Sequence, residues 1–259
     1  MDAAVRRPER EALFMFIRHL LIRLVRPIKL VVFTSLDGGV GKTTLSTVLS
    51  VAKGYTLIMD MDWEKADLSQ LFRVPKKPGW LAPFLDGRSV YVHKVNPWLY
   101  VVPGYEAAEL FMRGGGDILG DLIEALLEWA EGASKFVSKL RIPVDTVVVD
   151  TTAALPLDVL AKLQKMGAFN VFVADRRLIM RISDVKAEQY RQYMTYSSLV
   201  VVNMVEKNEI AMAKKIVPVA IKYVKMPQDY YGEAVARAVL RDSWNRKNID
   251  NIVMRLKTI

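Results

Sequence analysis

The sequence reads Leu36-Asp37-Gly38-Gly39-Val40-Gly41-Lys42-Thr43-Thr44 directly between an apolar run and a helical pattern. Glycines in such a turn let backbone N–H groups close around phosphate oxygens, and the start of the following helix adds its positive end. Lys42 can reach the β and γ phosphate oxygens, while Thr43 can offer its hydroxyl to Mg²⁺. The strict pattern G-x-x-x-x-G-K-[ST] is not met, because Leu36 stands where the first glycine belongs. The stretch still favours a triphosphate loop over an ordinary glycine-rich turn between a strand and a helix.

The composition excludes several classes of site. The 259 residues include no cysteine and only two histidines, His19 and His93. Disulfide frameworks, thiolate zinc sites, iron–sulfur clusters and cysteine nucleophiles are therefore excluded, and a histidine-based metal site is disfavoured. Nothing in the sequence needs an oxidising compartment, so we expect a cytoplasmic protein. The absence of cysteine, few amide side chains and many charged ones are typical of a thermophilic source.

Short runs rich in valine and isoleucine alternate with longer helical patterns along the chain. The runs are Ile28–Ser35, Tyr55–Met61, Trp98–Pro103, Asp145–Asp150, Phe169–Ala174, Leu199–Asn203 and Val219–Lys225. The helical patterns are Thr43–Lys53, Ile118–Leu140, Pro156–Met166, Ile182–Tyr193, Asn208–Val217, Gly232–Leu240 and Trp244–Leu256. The runs are apolar throughout, which is typical of strands covered on both faces. The pattern predicts an α/β fold, with a doubly wound, mostly parallel sheet of about seven strands and helices on both faces.

Residues 1–27 are predicted to form an extension ahead of this domain, which covers residues 28–259. The segment Arg7–Arg26 has helical periodicity, and Pro27 should end the helix because the residue before a proline avoids helical backbone angles. Basic residues fall on one arc of this helix and apolar residues mostly on another. Such a helix packs on the body or on a second subunit, or it contacts a membrane surface through residues 7–26. Its apolar stretch is interrupted by charges and is too short to span a membrane.

Three motifs together resemble the deviant Walker A ATPases of the ParA/MinD type, P-loop ATPases of the SIMIBI class. The first is the loop at residues 36–44, which in that family usually reads K-G-G-x-G-K-T-T. The second is Leu57–Asp62 with Asp67–Ser69, which resembles the first switch of the family. The third is Asp145–Thr152, which resembles its Walker B strand and second switch. The resemblance extends from Ile28 to about Leu240 and implies ATP and Mg²⁺ as cofactors.

The resemblance also implies roles for single residues. Lys42 and Asp62 would be the catalytic residues, with Asp62 positioning the attacking water. Thr43, Asp60 and Asp150 would hold the metal, Asp150 directly or through a water molecule. The nucleotide would be bound by Gly38, Gly39, Val40, Gly41, Lys42, Thr43, Thr44, Asn203, Pro227 and Asp229. Phosphoryl transfer requires a phosphate cradle, a held metal and an oriented water, so these roles also agree with the chemistry.

The weakest of these assignments concern the nucleotide base. Asn203 ends an apolar run and resembles the asparagine that faces the base in this family. Pro227 and Asp229, followed by the helical Glu233–Val235, resemble the loop and helix beside the adenine. An asparagine at a strand end is also an ordinary turn or cap residue, so that alternative stays open.

The chain departs from the family at Asp37, where ParA/MinD proteins carry a lysine that reaches the partner subunit's phosphates. An anion in place of that cation is not a neutral exchange. Three interpretations follow: hydrolysis without the lysine, ATP binding with little turnover, or replacement of the charge by another basic residue. Arg176, Arg177 and Arg181 follow a predicted strand and could supply that charge, although a solvated basic loop is the simpler interpretation. A second departure is Thr152, where the family usually has proline.

The formal net charge is +9, and basic residues concentrate at the two ends of the chain. The first group is Arg6, Arg7, Arg10, Arg18, Arg23, Arg26 and Lys29, and the second is Arg237, Arg241, Arg246, Lys247, Arg255 and Lys257. Partition ATPases of the family bind DNA without sequence preference in their ATP-bound dimer, by neutralising phosphates. Solvated helix faces in a basic protein are the alternative.

The favoured function is therefore an ATP-dependent switch in DNA partition, acting as a homodimer, with an unidentified partner that stimulates hydrolysis. A membrane-associated positioning ATPase of the MinD type is one alternative. The other is a scaffold that binds ATP without hydrolysing it and assembles on DNA or membrane, because Asp37 replaces the lysine.

Overall fold

A computed structural model describes residues 28–180 and 187–258 of the chain. Its strands are β1 (Lys29–Thr34), β2 (Thr56–Met61), β3 (His93–Asn96), β4 (Leu99–Val102), β5 (Thr146–Thr151), β6 (Phe169–Asp175), β7 (Leu199–Val205) and β8 (Val219–Lys222). They form one sheet in the order β3-β4-β2-β5-β1-β6-β7-β8. Neighbouring strands are parallel except for β3 and β4, which are antiparallel. The predicted mostly parallel α/β sheet is confirmed.

Most helices occupy the connections between these strands, and the last two follow β8. They are α1 (Lys42–Lys53), α2 (Asp67–Leu71), α3 (Ala82–Leu85), α4 (Tyr105–Gly114), α5 (Leu119–Leu140), α6 (Leu157–Lys165), α7 (Arg177–Met180), α8 (Ala187–Thr195), α9 (Ile210–Ile216), α10 (Glu233–Arg241) and α11 (Ser243–Lys257). A 3₁₀ turn, Gly115–Ile118, joins α4 to α5. Two pairs of parallel neighbours, β6–β7 and β7–β8, also follow each other in the sequence. The connection within each pair contains helix, as a crossover between parallel strands requires.

The sheet has eight strands rather than about seven, because the apolar runs do not reveal β3. The sequence of β3 is His-Lys-Val-Asn, and none of its four residues is buried. An antiparallel strand at the edge of a sheet needs no cover on both faces, so it can be polar. The helical patterns also omit α2, α3, α4 and α7, of which three are only four or five residues long.

The sheet separates two apolar cores, because successive side chains of a strand point to opposite faces. In β1, Val31 and Phe33 belong to one core, while Leu30 and Val32 belong to the other. The first core is completed by α1, α10 and α11, and the second by α5, α6 and α8. Helices therefore cover both faces of the sheet. The central position of β1 places the loop after it between the carboxyl ends of β5 and β6.

The edge of the sheet at β8 is closed by side chains from α11. The Trp244 indole Nε1 donates to the Ala220 carbonyl at 2.9 Å. The Asn245 side chain accepts from the Lys222 backbone N–H at 2.8 Å and donates to the Lys222 carbonyl at 3.2 Å. The Asn245 amide thus takes the place of a further strand, so this part of the edge is not open to another chain.

Some predicted features lie outside the described residues. These are the extension at residues 1–27 with its helix at residues 7–26, Arg181, and the start of the predicted helix at Ile182. The described part of that last helix is α8. Within residues 28–180 and 187–258, no helix combines the length and apolarity needed to cross a membrane.

Candidate nucleotide site

The phosphate loop connects β1 to α1 at the carboxyl edge of the sheet. Gly39 and Gly41 have φ of +73° and +82°, values that glycine adopts without strain. A Cβ built at Gly38 or Gly39 meets no described atom within 4 Å, whereas one at Gly41 would lie 2.4 Å from Asn203 Nδ2. The outer side of the loop is therefore open and its inner side is packed. The first N–H groups of α1 receive no side-chain cap and remain available for an anion.

The positive charge of Lys42 acts on the carboxyl groups of both Asp62 and Asp150. Lys42 is 8% exposed at the start of α1. Burial raises the pKa of the Asp62 carboxyl, and the positive charge of Lys42 opposes this shift. Burial raises the pKa of Asp150 to about 6, and the Lys42 ammonium and the Thr43 hydroxyl both oppose it. The structure thus brings together four of the predicted catalytic and metal-binding side chains.

Asp150 is the carboxylate best placed to accept a ligand. It is fully buried near the carboxyl end of β5, beside Asp60 on β2 in register. Neither of its carboxylate oxygens has a hydrogen-bond donor within the described part of the chain. The Thr43 hydroxyl is near enough to lower the pKa of Asp150, but it does not meet hydrogen-bond geometry with it. A buried carboxylate without partners is costly, so this side chain needs a cation or a further donor.

Asp60, in contrast, is fully engaged by neighbouring residues. Its Oδ2 accepts from the Ser69 hydroxyl at 2.5 Å and from the Ser69 backbone N–H at 2.7 Å. The Ser69 hydroxyl oxygen in turn accepts from the Gly104 N–H at 2.9 Å. Burial raises the pKa of Asp60 to about 8, with a further upward contribution from Asp150. Asp60 is thus held beside Asp150 by a hydrogen-bond network, of which the sequence motif includes only Ser69.

The residue types at this site fit Mg²⁺. Magnesium takes oxygen ligands and usually combines one or two protein carboxylates with waters and substrate phosphates. Asp150 supplies unpartnered carboxylate oxygens, and Thr43 supplies a hydroxyl beside it. The described residues contain no ready-made group of three or more metal-binding side chains. Thr43 and Asp150 would hold such an ion together with water molecules and phosphate oxygens.

The segment that follows β5, where the second switch is predicted, is tied to the end of β1 just before the phosphate loop by one backbone and one side-chain hydrogen bond. The Ala154 N–H donates to the Ser35 carbonyl at 2.8 Å, and the Thr151 hydroxyl donates to the Phe33 carbonyl at 2.7 Å. The hydroxyls of Ser35 and Thr152 are buried and have no partner among the described residues. Thr152, where the resembled family has proline, therefore adds a buried hydroxyl beside the loop.

The residues predicted to contact the base are less well brought together. Asn203 is buried, and its Nδ2 donates to the Val40 carbonyl at 2.9 Å, so its side chain supports the loop from beneath. Pro227 and Asp229 are exposed in the segment that follows β8. Among the described residues, no hydrogen bond joins either of them to the phosphate loop. Base recognition by these three residues stays a prediction.

The side chains around Asp37 differ from what the sequence suggests. The Tyr190 hydroxyl on α8 donates to Asp37 Oδ2. Arg177 Nε donates to both carboxylate oxygens of Asp175 at 2.9 and 2.7 Å, which raises the pKa of its guanidinium, with a smaller contribution from Asp37. Arg176 pairs with Glu206 instead. Of the two described arginines, only Arg177 is thus electrostatically linked to the loop, and Tyr190 is a partner that no motif indicates.

Known proteins resemble this chain in fold rather than in sequence. No protein-family model and no curated protein sequence matches it. Solved structures do. The septum site-determining protein MinD from Pyrococcus horikoshii, complexed with Mg-ADP, has a TM-score of 0.57 and 18% identity, with 88% of this chain and 96% of that chain covered.

Two further structures match to a similar extent. A plasmid partition protein from Borrelia burgdorferi has a TM-score of 0.53 and 17% identity, with 83% of this chain and 99% of that chain covered. McdA from Cyanothece has a TM-score of 0.54 and 16% identity, with 86% and 98% covered. The chain has the fold of the ParA/MinD ATPases. At these identities the likeness concerns the fold, and the function has to be argued from the site.

Proposed function

We propose that the protein binds Mg-ATP at the phosphate loop and hydrolyses it slowly, as a nucleotide-dependent switch. The observation that best supports this is the pair of unpartnered oxygens on buried Asp150, beside Lys42 and Thr43 at the start of α1. A buried anion with no donor, next to a helix start with free N–H groups, has the polarity of a site for a metal–phosphate pair. The fold shared with the nucleotide-bound MinD structure agrees with this proposal.

Each residue has a distinct role in the proposed reaction. Mg²⁺, when bound, neutralises charge on the β and γ phosphates. Thr43 and Asp150 hold the ion, while Asp60 fixes the position of the first switch through Ser69. Lys42 binds phosphate oxygens from within the loop, and Asp62 orients the water that attacks the γ phosphorus.

Replacing Lys42 tests the proposal directly. We expect Lys42→Ala to lower phosphate release about a hundredfold, as loss of one preorganised donor to a developing charge does. Asp150→Asn should remove the dependence of ATP binding on Mg²⁺. Lys139→Ala, on the exposed surface of α5, is the matched control and should leave both properties unchanged. Binding of a fluorescent ATP analogue that is equally tight in Lys42→Ala and wild type would contradict the proposal.

We further propose that α10 and α11 carry a DNA-binding surface. Arg241, Lys247, Arg255 and Lys257 are exposed there, and none of them forms an ion pair with a described residue. Arg237, in contrast, is paired with Glu233 at 2.5 Å. Exposed cations without an ion-pair partner can neutralise backbone phosphates without reading bases. Partition of DNA is the role that this surface suits best.

Charge reversal tests the DNA surface. We expect the double variant Lys247→Glu/Arg255→Glu to retain DNA more weakly in the presence of ATP. The number of phosphate contacts, obtained from the slope of the binding constant against salt concentration, should fall by about two. Lys135→Glu with Lys139→Glu makes the same charge change on α5, on the opposite face of the sheet, and should have little effect. Equal losses in both double variants would indicate a general charge effect and would count against a specific surface.

A scaffold that binds ATP without turning it over is the second candidate, and Asp37 is the observation that favours it. The Asp37 carboxylate lies where the resembled family has its lysine. This carboxylate accepts a hydrogen bond from the Tyr190 hydroxyl of the same chain. This candidate predicts tight ATP binding without phosphate release, and some turnover in Asp37→Lys. Membrane attachment through residues 7–26 is tested separately, by co-sedimentation with liposomes of the full chain and of a chain lacking residues 1–26.

A further inference from the structure

Asp37 lies at the start of the glycine-rich loop, where its carboxylate could act on the loop or point into solvent. It is half-buried, while the next two residues, Gly38 and Gly39, are exposed. Its Oδ2 accepts a hydrogen bond from the Tyr190 hydroxyl, 153 residues later in the chain. Asp37, which directly precedes the exposed glycines of the loop, is therefore hydrogen-bonded to a helix that lies far away in the sequence.

The helix that provides this partner is itself firmly placed. Tyr190 is 2% exposed, and its ring lies 6.1 Å from that of Phe172 in β6, measured between centroids. One turn further along α8, the Tyr193 hydroxyl donates to the Leu155 carbonyl at 2.5 Å. A buried tyrosine has little rotational freedom, so its hydroxyl offers Asp37 a fixed donor rather than an adaptable one.

We propose that Asp37 anchors the phosphate loop within its own subunit, with Tyr190 as the positioning residue that acts through it. This inference rests on the proposed nucleotide site. The hydrogen bond directs the carboxylate towards α8 and stabilises its negative charge there. It also fixes the start of the loop before nucleotide arrives, so less ordering is needed on binding. The side chain at position 37 then stabilises the loop of its own subunit, whereas the lysine of the resembled family contacts the phosphates bound by the partner subunit.

A double-mutant cycle tests the anchor, with Tyr190→Phe made in the wild type and in Asp37→Ala. We expect Tyr190→Phe to weaken binding of a fluorescent ATP analogue with Mg²⁺ about tenfold, since a hydrogen bond to a charged group is being lost. In the Asp37→Ala background the same change should have no effect, whatever Asp37→Ala does alone. Tyr193→Phe is the matched control, because it loses a buried hydroxyl bond on the same helix that does not involve Asp37. Its effect should be equal in both backgrounds.

Two results would overturn the inference. One is an effect of Tyr190→Phe that persists undiminished in Asp37→Ala. The other is an effect that appears only at protein concentrations high enough for dimers, since an anchor within one subunit acts equally in the monomer. Failure of the proposed function is distinguishable, because the wild type would then not bind the analogue. The same cycle is in that case measured by thermal unfolding, where additive shifts would overturn the anchor and non-additive shifts would support it.

Discussion

Ala154, in the segment between β5 and α6, adopts a backbone conformation that suits glycine, with φ of +54°. L-residues in this left-handed region are strained by about 1–2 kcal/mol. We expect Ala154→Gly to stabilise the protein by about 1 kcal/mol, measured as a higher midpoint in urea unfolding. Ala153 has no positive φ, so Ala153→Gly should destabilise by about 0.4–1 kcal/mol through the added freedom of the unfolded chain. Changes of the same sign in the two variants would contradict this explanation.

The buried carboxylates make stability depend on pH in the absence of metal and nucleotide. The pKa of Asp60 is raised from 3.8 to about 8 and that of Asp150 from 3.8 to about 6, in both cases mainly by burial. The folded state therefore holds more protons than the unfolded state between these values. Raising the pH releases them and favours unfolding. We expect the free energy of unfolding to fall from about pH 4 to about pH 8.

Asp60→Asn isolates the contribution of one carboxyl. It keeps the shape of the side chain and removes the proton equilibrium, so the fall with pH should become shallower, most clearly between pH 6 and 8. Urea unfolding of both proteins at several pH values, in buffer with a chelator, measures the difference. An identical pH dependence in the variant would show that Asp60 does not titrate in this range.

At the scale of elements, α11 covers the backbone of the edge strand β8, as a further strand would. The Asn245 side chain makes two hydrogen bonds to the backbone of Lys222 in β8 and is fully buried. We expect Asn245→Ala to destabilise the protein by about 2–3 kcal/mol, because it leaves both backbone groups of Lys222 unpaired. Asn251→Ala on the exposed side of α11 should change the stability by less than about 0.5 kcal/mol.

The measurement for this pair is denaturant unfolding together with light scattering. Loss of the Asn245 cover should also increase self-association, since the unpaired edge can accept another strand. A variant that is destabilised without associating would show that Trp244 alone suffices to block the edge.

The elements that the sequence predicts well are those whose apolar pattern is unbroken. Seven parallel strands and the main helices follow from runs of buried valine and isoleucine and from helical periodicity. The edge strand β3 and the short helices carry no such pattern, because their residues are largely exposed or too few. At the site, the loop and Asp150 follow from local motifs. The bonds of Asp37 to Tyr190 and of Asn203 to Val40 span more than 150 residues, and only the assembled sheet brings those residues together.

At the scale of the whole molecule, the proposed switch and the scaffold differ in how the molecule assembles. The proposed switch should be monomeric without nucleotide or with ADP and dimeric with ATP, because a switch must respond to the presence of the γ phosphate. A scaffold should keep one oligomeric state throughout. Light scattering of the full chain in the three conditions, alongside phosphate release, separates them. Lys42→Ala is the control and should abolish any effect of ATP on the measured mass.

The closure of the β8 edge has a consequence for the protein as it is made. A ribosome produces the chain from its amino end, so Lys222 is synthesised before Trp244 and Asn245, which cover it. Until α11 docks, the parallel sheet can be complete while one of its borders is still uncovered. Slow docking of α11 would prolong the exposure, and chaperones that recognise extended backbone would bind at this edge.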